Sequence, residues 1–96
     1  MRENTIEAYL RDQVKIIGGK AYKFISPGNN GVPDRLVCLP GGRSVFLELK
    51  APGKKPTALQ LNQQEKLRAL GFRVWVIDSK ANVDWFIQDC KGLIGI

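Results

Sequence analysis

The chain has 96 residues, enough for one domain with a modest core, and 44% of them are hydrophobic. Fifteen Lys and Arg stand against nine Asp and Glu, and this net charge of +6 favours a polyanionic partner, nucleic acid first of all. The chain contains no histidine, which excludes histidine acid–base catalysis, Ser–His and Cys–His nucleophiles, and histidine-ligated zinc. Any hydrolytic chemistry must therefore use carboxylates, lysine and a metal ion.

Hydropathy and cysteine content indicate the compartment. No stretch approaches the roughly 18 apolar residues of a membrane span, and no signal peptide opens the chain. We therefore expect a cytoplasmic, intracellular protein that does not bind membranes. Cys38 and Cys90 lie in apolar segments and are expected to be buried free thiols. Residues 1–96 are expected to form a single standalone domain.

The first predicted element is a helix that begins at Asn4 and ends before Gly18 and Gly19. Asn4 is a favourable N-cap, and Glu7, three residues later, could accept a hydrogen bond from the Asn4 amide in a capping box. Because Glu7 would lie in the first turn, its carboxylate could also point toward a site at the end of the helix.

A strand is predicted over residues 20–25, where aromatic and β-branched residues alternate with shorter or polar ones. The segment that follows, residues 26–31, has the sequence Ser-Pro-Gly-Asn-Asn-Gly, which is typical of turns. It is either a plain surface loop or one whose backbone, around Asn29 and Asn30, approaches a phosphate or a metal ion.

Residues 35–39 and 44–50 flank a Gly-Gly pair and predict a β-hairpin. Glu48 and Lys50 share one face of the second strand because side chains alternate along a strand. A two-residue loop would leave Asp34 on the opposite face. A three-residue loop, with glycine in the left-handed region, would bring Asp34 opposite Glu48.

Two carboxylates and an ammonium group on one face allow two interpretations. Asp34, Glu48 and Lys50 could form a solvated hairpin face held by a salt bridge. Alternatively, the two carboxylates could bind Mg²⁺ or Mn²⁺, with the lysine beside them to orient or deprotonate water.

The segment after the hairpin, residues 51–56, is a basic loop that cannot continue a strand because it contains two prolines and a glycine. Lys54 and Lys55 leave directly from the end of the strand that carries Lys50. They are either solvated surface lysines or DNA-binding residues that neutralise phosphate charge.

A second helix is predicted from Thr57, which forms a capping-box pattern with Gln60, to Gly71. Residues 72–77 are the most strand-like segment of the chain. The crossover between the last two strands makes them parallel. The element order is therefore α-β-β-β-α-β-α, an α/β fold with a mixed sheet and the first two helices on its faces.

The last helix is expected to be short and to begin at Asn82 or Asp84, followed by an apolar tail over residues 91–96. Trp85 and Phe86 in this helix, together with the tail, could either complete the monomer core or form a dimer interface.

The motif Gly31-Val-Pro-Asp34 followed by Glu48-Leu-Lys50, within this order of elements, resembles the PD-(D/E)XK nuclease superfamily. More narrowly, the chain resembles the virus-type replication-repair nuclease (VRR-NUC) domain. That family also carries a glutamate in the first helix, matched by Glu7, and a glutamine about eleven residues before a glycine, matched by Gln60 and Gly71. The resemblance implies a restriction-endonuclease-like α-β-β-β-α-β core.

The resemblance also implies a role for each motif residue. Asp34, Glu48 and the Leu49 carbonyl would hold Mg²⁺ or Mn²⁺, and Glu7 would assist at the metal directly or through water. Lys50 would position or deprotonate the attacking water, and Gln60 would orient Lys50 or the scissile phosphate.

The implied function is that of a metal-dependent, structure-selective DNA endonuclease, of the Holliday-junction-resolving type found as homodimers, of phage or bacterial origin. Two alternatives stay open: a non-catalytic nucleic-acid-binding module that retains the fold, and a monomeric nuclease that nicks or cuts flaps. A structural or adaptor protein with a charged hairpin is the weakest alternative. Contacts to the DNA are expected from four residues: Asn29, Asn30, Lys54 and Lys55.

Overall fold

The computed structural model describes residues 2–96. Its elements are, in order, α1 (Glu3–Ile16), β1 (Lys20–Lys23), β2 (Arg35–Leu39), β3 (Arg43–Leu49), α2 (Ala58–Ala69), β4 (Arg73–Ile77) and α3 (Lys80–Ile94). The predicted order of helices and strands is confirmed.

The four strands form one mixed sheet in the order β1-β2-β3-β4, in which only the β3–β4 pairing is parallel. Leu39 pairs with Arg43, so the hairpin has the three-residue loop. Gly42 in that loop has φ of +75°, a conformation that favours glycine. Continued one residue beyond the last pair, this register brings Asp34 beside Glu48.

The core lies on one face of the sheet, where α1 and α3 pack together. The alternate residues Val45, Leu47 and Leu49 of β3 point into this core, so Glu48 lies on the opposite face. On that face α2 packs against β4 and buries Gln64. The core consists of Ile6, Leu10, Val14, Ile17, Val37, Leu39, Val45, Leu47, Leu49, Ile77, Val83, Phe86, Ile87 and Cys90.

The start of α1 differs from the prediction. The helix begins at Glu3, and its N-cap Arg2 is extended with no side-chain capping bond. The capping box of Asn4 and Glu7 is therefore wrong. Both residues lie inside the helix, and the Glu7 carboxylate forms an ion pair with Arg35 across the interface between helix and sheet.

The first strand is shorter than predicted. It ends at Lys23, one residue before Phe24, whose N–H donates to the Asp34 carbonyl at 2.8 Å. The residue before Asp34 in the paired segment is Pro33, which has no amide hydrogen to continue the ladder of hydrogen bonds.

The third helix is longer than predicted, at both ends. Ser79 is its N-cap, and the Ser79 hydroxyl accepts a hydrogen bond from the Asn82 amide at 3.1 Å. The helix therefore begins at Lys80, ahead of Asn82 and Asp84, and continues to Ile94 through most of the expected tail.

The two aromatic residues of α3 have opposite environments. Phe86 is fully buried in the core, whereas Trp85 is 65% exposed. Phe86 is therefore not available to a partner chain, because it already completes the monomer. Cys90 is buried and Cys38 half-buried, and both are free thiols. Within residues 2–96, no helix has the length and hydropathy needed to cross a membrane.

Candidate active site

Asp34 lies at the entrance to β2, between two neighbouring strands. Its Oδ1 accepts a hydrogen bond from the Leu49 amide at 3.2 Å, and its own carbonyl accepts the bond from Phe24. Pro33 before it is buried, which restrains the backbone at this point. The carboxylate is thus fixed against the end of β3.

Glu48 is the most enclosed carboxylate of this site, with only 4% of its surface exposed. Its Oε2 accepts a hydrogen bond from Gln60 Nε2 at 3.1 Å and lies 3.8 Å from Lys50 Nζ. Its Oε1 is buried and has no hydrogen-bond partner. A buried carboxylate oxygen without a partner is costly, so this atom requires a cation, a proton or a bound donor.

The electrostatics of the two acids are unfavourable in the absence of a cation. Burial, and after it the negative charge of Asp34, raise the pKa of Glu48 to about 7, against the opposing effect of the Lys50 ammonium. Burial also raises the pKa of Asp34, against the stabilising hydrogen bond from the Leu49 amide. The two carboxylates therefore resist being ionised together at neutral pH.

Glu3 is an acidic residue near the site that the sequence interpretation did not include. From the first turn of α1, its charge contributes to raising the pKa of both Asp34 and Glu48. An acidic residue before the predicted helix was the available signal. Placing the helix start at Asn4 left Glu3 outside the helix and hid that signal.

Glu7 is placed differently from the other motif residues. Its Oε2 lies 2.6 Å from an Arg35 guanidinium nitrogen, on the face of the sheet that α1 covers. Among residues 2–96, no group of three or more Asp, Glu or Cys side chains lies close enough together to hold a metal ion. The structure thus brings Asp34 and Glu48 together without Glu7 as a third carboxylate, and a role for Glu7 at a metal stays a prediction.

The side-chain amide of Gln60 takes part in both the helix cap and the site, through its oxygen and its nitrogen respectively. The side-chain Oε1 of Gln60 accepts a hydrogen bond from the backbone N–H of Thr57 at 2.9 Å, and the backbone N–H of Gln60 donates to Thr57 Oγ1 at 3.2 Å. The predicted capping box is confirmed. The remaining Nε2 donates to Glu48, so the cap orients the amide toward the carboxylate.

The loop before Asp34 is held against α2. Gln63 Nε2 donates to the Asn30 carbonyl at 3.3 Å. Gly31 has φ of +88°, and a Cβ at this position would lie 2.8 Å from Leu59 Cγ. Only glycine fits this close approach without strain, which couples the position of Asp34 to that of α2.

The four residues predicted to contact DNA are all exposed. They lie in two loops, one that precedes Asp34 in the sequence and one that follows Lys50. Asn29 lies in the loop before Asp34, where its side chain donates to Ser26 at 2.9 Å. Lys54 and Lys55 lie in the loop that follows Lys50.

The donor set fits a hard divalent cation. Asp34 and Glu48 supply oxygen ligands of the kind that Mg²⁺ and Mn²⁺ prefer. Leu49 follows Glu48 in the sequence, and its amide donates a hydrogen bond to the Asp34 carboxylate. A cation would also satisfy Glu48 Oε1 and relieve the repulsion between the two acids.

Comparison with known proteins identifies the family. No family model matches the sequence. "Putative nuclease p44" of Acyrthosiphon pisum secondary endosymbiont phage 1 is 56% identical over 80 residues, which cover 83% of this chain and 86% of that protein. A solved structure described as "VRR_NUC domain" aligns with a TM-score of 0.83 and 34% identity, over 90% of this chain and 94% of the other. Because both similarities extend over most of each chain, this protein belongs to the VRR-NUC family of nuclease domains.

Proposed function

We propose that this member of the VRR-NUC nuclease family is a divalent-metal-dependent endonuclease that hydrolyses phosphodiester bonds in DNA. The observation that carries the proposal is the buried, unpartnered Oε1 of Glu48, a carboxylate that the hairpin register brings beside Asp34 and whose other oxygen approaches Lys50. The ion pair with Lys50 and the hydrogen bond from Gln60 account for Oε2 and leave Oε1 without a partner.

Asp34, Glu48 and the Leu49 carbonyl would hold Mg²⁺ or Mn²⁺. When bound, the ion would neutralise charge on the phosphate and stabilise the charge that develops in the transition state. Lys50 Nζ, 3.8 Å from Glu48 Oε2, would position the attacking water beside the carboxylates or, in its neutral amine form, take up the proton of that water. Gln60 keeps Glu48 in position through its hydrogen bond to Oε2.

The surrounding charge supports DNA as the substrate. Lys54 and Lys55 are exposed directly after the site, and the whole chain carries a net charge of +6. Basic side chains beside a pair of acids allow the protein to hold phosphates on either side of the bond to be cut. Asn29 and Asn30, in the loop before Asp34, would add hydrogen bonds to the DNA backbone.

We further propose that the substrate is branched DNA, with the four-way Holliday junction first, and that the protein acts on it as a homodimer. A four-way junction is resolved by two symmetric cuts, and one chain offers a single pair of site carboxylates. Two-fold pairing of two chains would supply both cuts in a fixed geometry.

The test uses labelled linear duplex, flap and four-way-junction DNA, each incubated with Mg²⁺, Mn²⁺ or EDTA. We expect cleavage with either metal, none with EDTA, and paired symmetric cuts in the junction. Binding without cleavage of any substrate would identify a non-catalytic module instead. Cleavage restricted to flaps or single nicks would replace junction resolution with the monomeric alternative.

A further inference from the structure

A cleft of about 370 Å³ opens between α1 and the edge strand β1. We call it the α1–β1 cleft, and it is lined by Arg11, Lys15, Gly19, Lys20 and Ala21. Three of these five residues are basic and none of them is acidic. The salt bridges within residues 2–96 involve none of the three basic side chains, so their charge is not compensated by an ion pair.

The helix that lines the cleft also reaches the candidate active site. Glu3, Glu7, Arg11 and Lys15 are spaced four residues apart and so follow one stripe of α1. The two acids occupy the site end of this stripe, and the two bases occupy the cleft end. Arg11 and Lys15 lie about 6 and 12 Å beyond Glu7 along the helix axis.

The pairing of β1 with β2 also relates the position of the cleft to that of the active site. Lys23, at one end of β1, pairs with Arg35, the neighbour of Asp34. Lys20, at the other end and on the cleft, pairs with Cys38. The cleft therefore lies along the edge of the sheet, at the end of β1 that is farther from Asp34.

An exposed aromatic residue contacts one of the cleft lysines. Tyr22 on β1 is 48% exposed, and Lys20 Nζ lies 5.0 Å from the centre of its ring. Basic side chains combined with an exposed aromatic ring are typical of nucleic-acid-binding surfaces. Cys38, the partner of Lys20, lies four residues from Asp34 along β2, about 13 Å at about 3.3 Å per residue. This distance corresponds to about four base pairs of B-DNA, at about 3.4 Å of axial length each.

We propose that the α1–β1 cleft is a second phosphate-binding site, which holds the DNA backbone about four base pairs from the bond that is cut. The inference rests on the proposed nuclease function. The active site and the cleft together hold one duplex arm at two points. Arg11 and Lys15 contribute to binding and orientation of that arm and take no part in the chemical step.

The test compares two double variants of equal charge. Arg11→Gln/Lys15→Gln removes the cleft charges, and Lys66→Gln/Lys91→Gln removes two charges from α2 and α3, outside the cleft. The cleft variant should bind duplex DNA roughly tenfold more weakly, and the slope of log affinity against log salt should fall by up to about 2.

Ethylation interference in an Asp34→Asn background locates the contacts. Interference about four phosphates from the cut should disappear in the cleft variant and persist in the Lys66/Lys91 variant. Equal salt slopes for the two double variants, or unchanged interference, would overturn the inference while leaving cleavage by the unchanged protein intact. If the unchanged protein neither binds nor cuts DNA with Mg²⁺, the proposed function itself fails.

A second experiment distinguishes DNA from free inorganic phosphate as the ligand of the cleft. Amide resonances of the cleft are followed by NMR during titration with inorganic phosphate and, separately, with short duplex DNA on the Asp34→Asn protein. Shifts at micromolar DNA without saturation by millimolar phosphate support the inference. Saturation by inorganic phosphate, with no response to DNA, would overturn it in favour of a small-anion site.

Discussion

Glu48 holds its two carboxylate oxygens in different environments. Oε2 contacts Gln60 and Lys50, whereas Oε1 is buried without a partner. Ionisation of this group is therefore opposed in the metal-free protein and favoured when a cation is bound. The stability of the fold and the binding of metal are linked through this one side chain.

This linkage predicts a pH dependence of stability in the metal-free protein. Burial raises the pKa of Glu48 from 4.5 to about 7. Between these values the folded state keeps a proton that the unfolded chain has released, so the free energy of unfolding falls as the pH rises from about 4.5 to 7. The loss is up to about 3 kcal/mol, and Asp34, whose pKa is also raised, contributes in the same direction.

Urea denaturation in EDTA at pH 5 and pH 8 measures this difference. Glu48→Gln keeps an acceptor for Gln60 but cannot ionise, so it should remove most of the pH dependence and exceed the unchanged protein in stability at pH 8. Mg²⁺ should stabilise the unchanged protein at pH 8 far more than at pH 5. Equal stability of the unchanged protein at both pH values would contradict the buried-acid interpretation.

A second residue-scale prediction concerns cleavage. Asp34→Ala and Glu48→Ala should abolish cleavage while leaving the fold intact, because each removes one of the two carboxylates proposed to hold the metal. Binding of branched DNA should persist, since phosphate contacts come mainly from Lys and Arg. Glu65→Ala, on the exposed surface of α2, is the control. Undiminished cleavage by either purified site variant would remove the metal-site assignment.

At the scale of elements, two polar contacts connect helices to the sheet. Gln60 connects the first turn of α2 to β3, and Glu7 connects α1 to the first residue of β2. Arg35 is only 7% exposed, so its charge depends on Glu7 for compensation. Because Arg35 directly follows Asp34, this ion pair also fixes the strand that carries a site carboxylate.

The contribution of this ion pair is measurable by a double-mutant cycle. Glu7→Gln and Arg35→Gln should each destabilise the fold, with a coupling free energy of about 1 to 3 kcal/mol, because Glu7→Gln leaves a buried charge unpaired. Urea denaturation of the two single variants and the double variant gives the coupling. Additive effects would show that the ion pair contributes nothing beyond its separate side chains.

The end of β3 and the loop after it should divide catalysis from binding. Lys50→Ala should lower the cleavage rate on the order of 100-fold or more, with little effect on DNA affinity. Lys54→Ala and Lys55→Ala should weaken DNA binding and flatten its salt dependence, with cleavage at saturation nearly unchanged. Single-turnover kinetics over a range of DNA concentrations separates the two effects. An unchanged saturating rate for Lys50→Ala would assign that lysine to binding alone.

At the scale of the whole molecule, apolar surface remains exposed near the end of the chain. Trp85 is 65% exposed on the outer side of α3, and Ile96 is 70% exposed just beyond that helix. Leu93 and Ile94 are partly buried against the core. Of the interface residues predicted from the sequence, Trp85 and Ile96 are therefore the ones that leave large apolar side chains exposed to a second chain.

Light scattering at micromolar concentration tests the proposed homodimer. We expect twice the 10.7 kDa mass of one chain, and Trp85→Ser should shift the equilibrium toward the monomer because it removes the largest exposed apolar side chain of α3. Ile16→Ser, on an exposed apolar residue of α1, is the control. A monomer mass that is unchanged by junction DNA would leave a nicking or flap-cutting enzyme.

Local sequence determined much of this molecule. The alternation of β3 places Glu48 and Lys50 on one face, and the capping box of Thr57 and Gln60 starts α2, because both depend on residues close together in the chain. The motif residues Asp34, Glu48 and Lys50 were also recognisable from their order and spacing.

Only the tertiary structure decided which distant groups meet. The three-residue hairpin loop, one of two allowed by the sequence, brings Asp34 beside Glu48. The packing of α1 on the sheet joins Glu7 to Arg35 and brings Glu3 toward the site. Capping and alternation extend over a few neighbouring residues, whereas the partner of a side chain depends on the register and packing of elements far apart in sequence. For that reason the sequence determined which residues could form the site, and the packing decided which of them do.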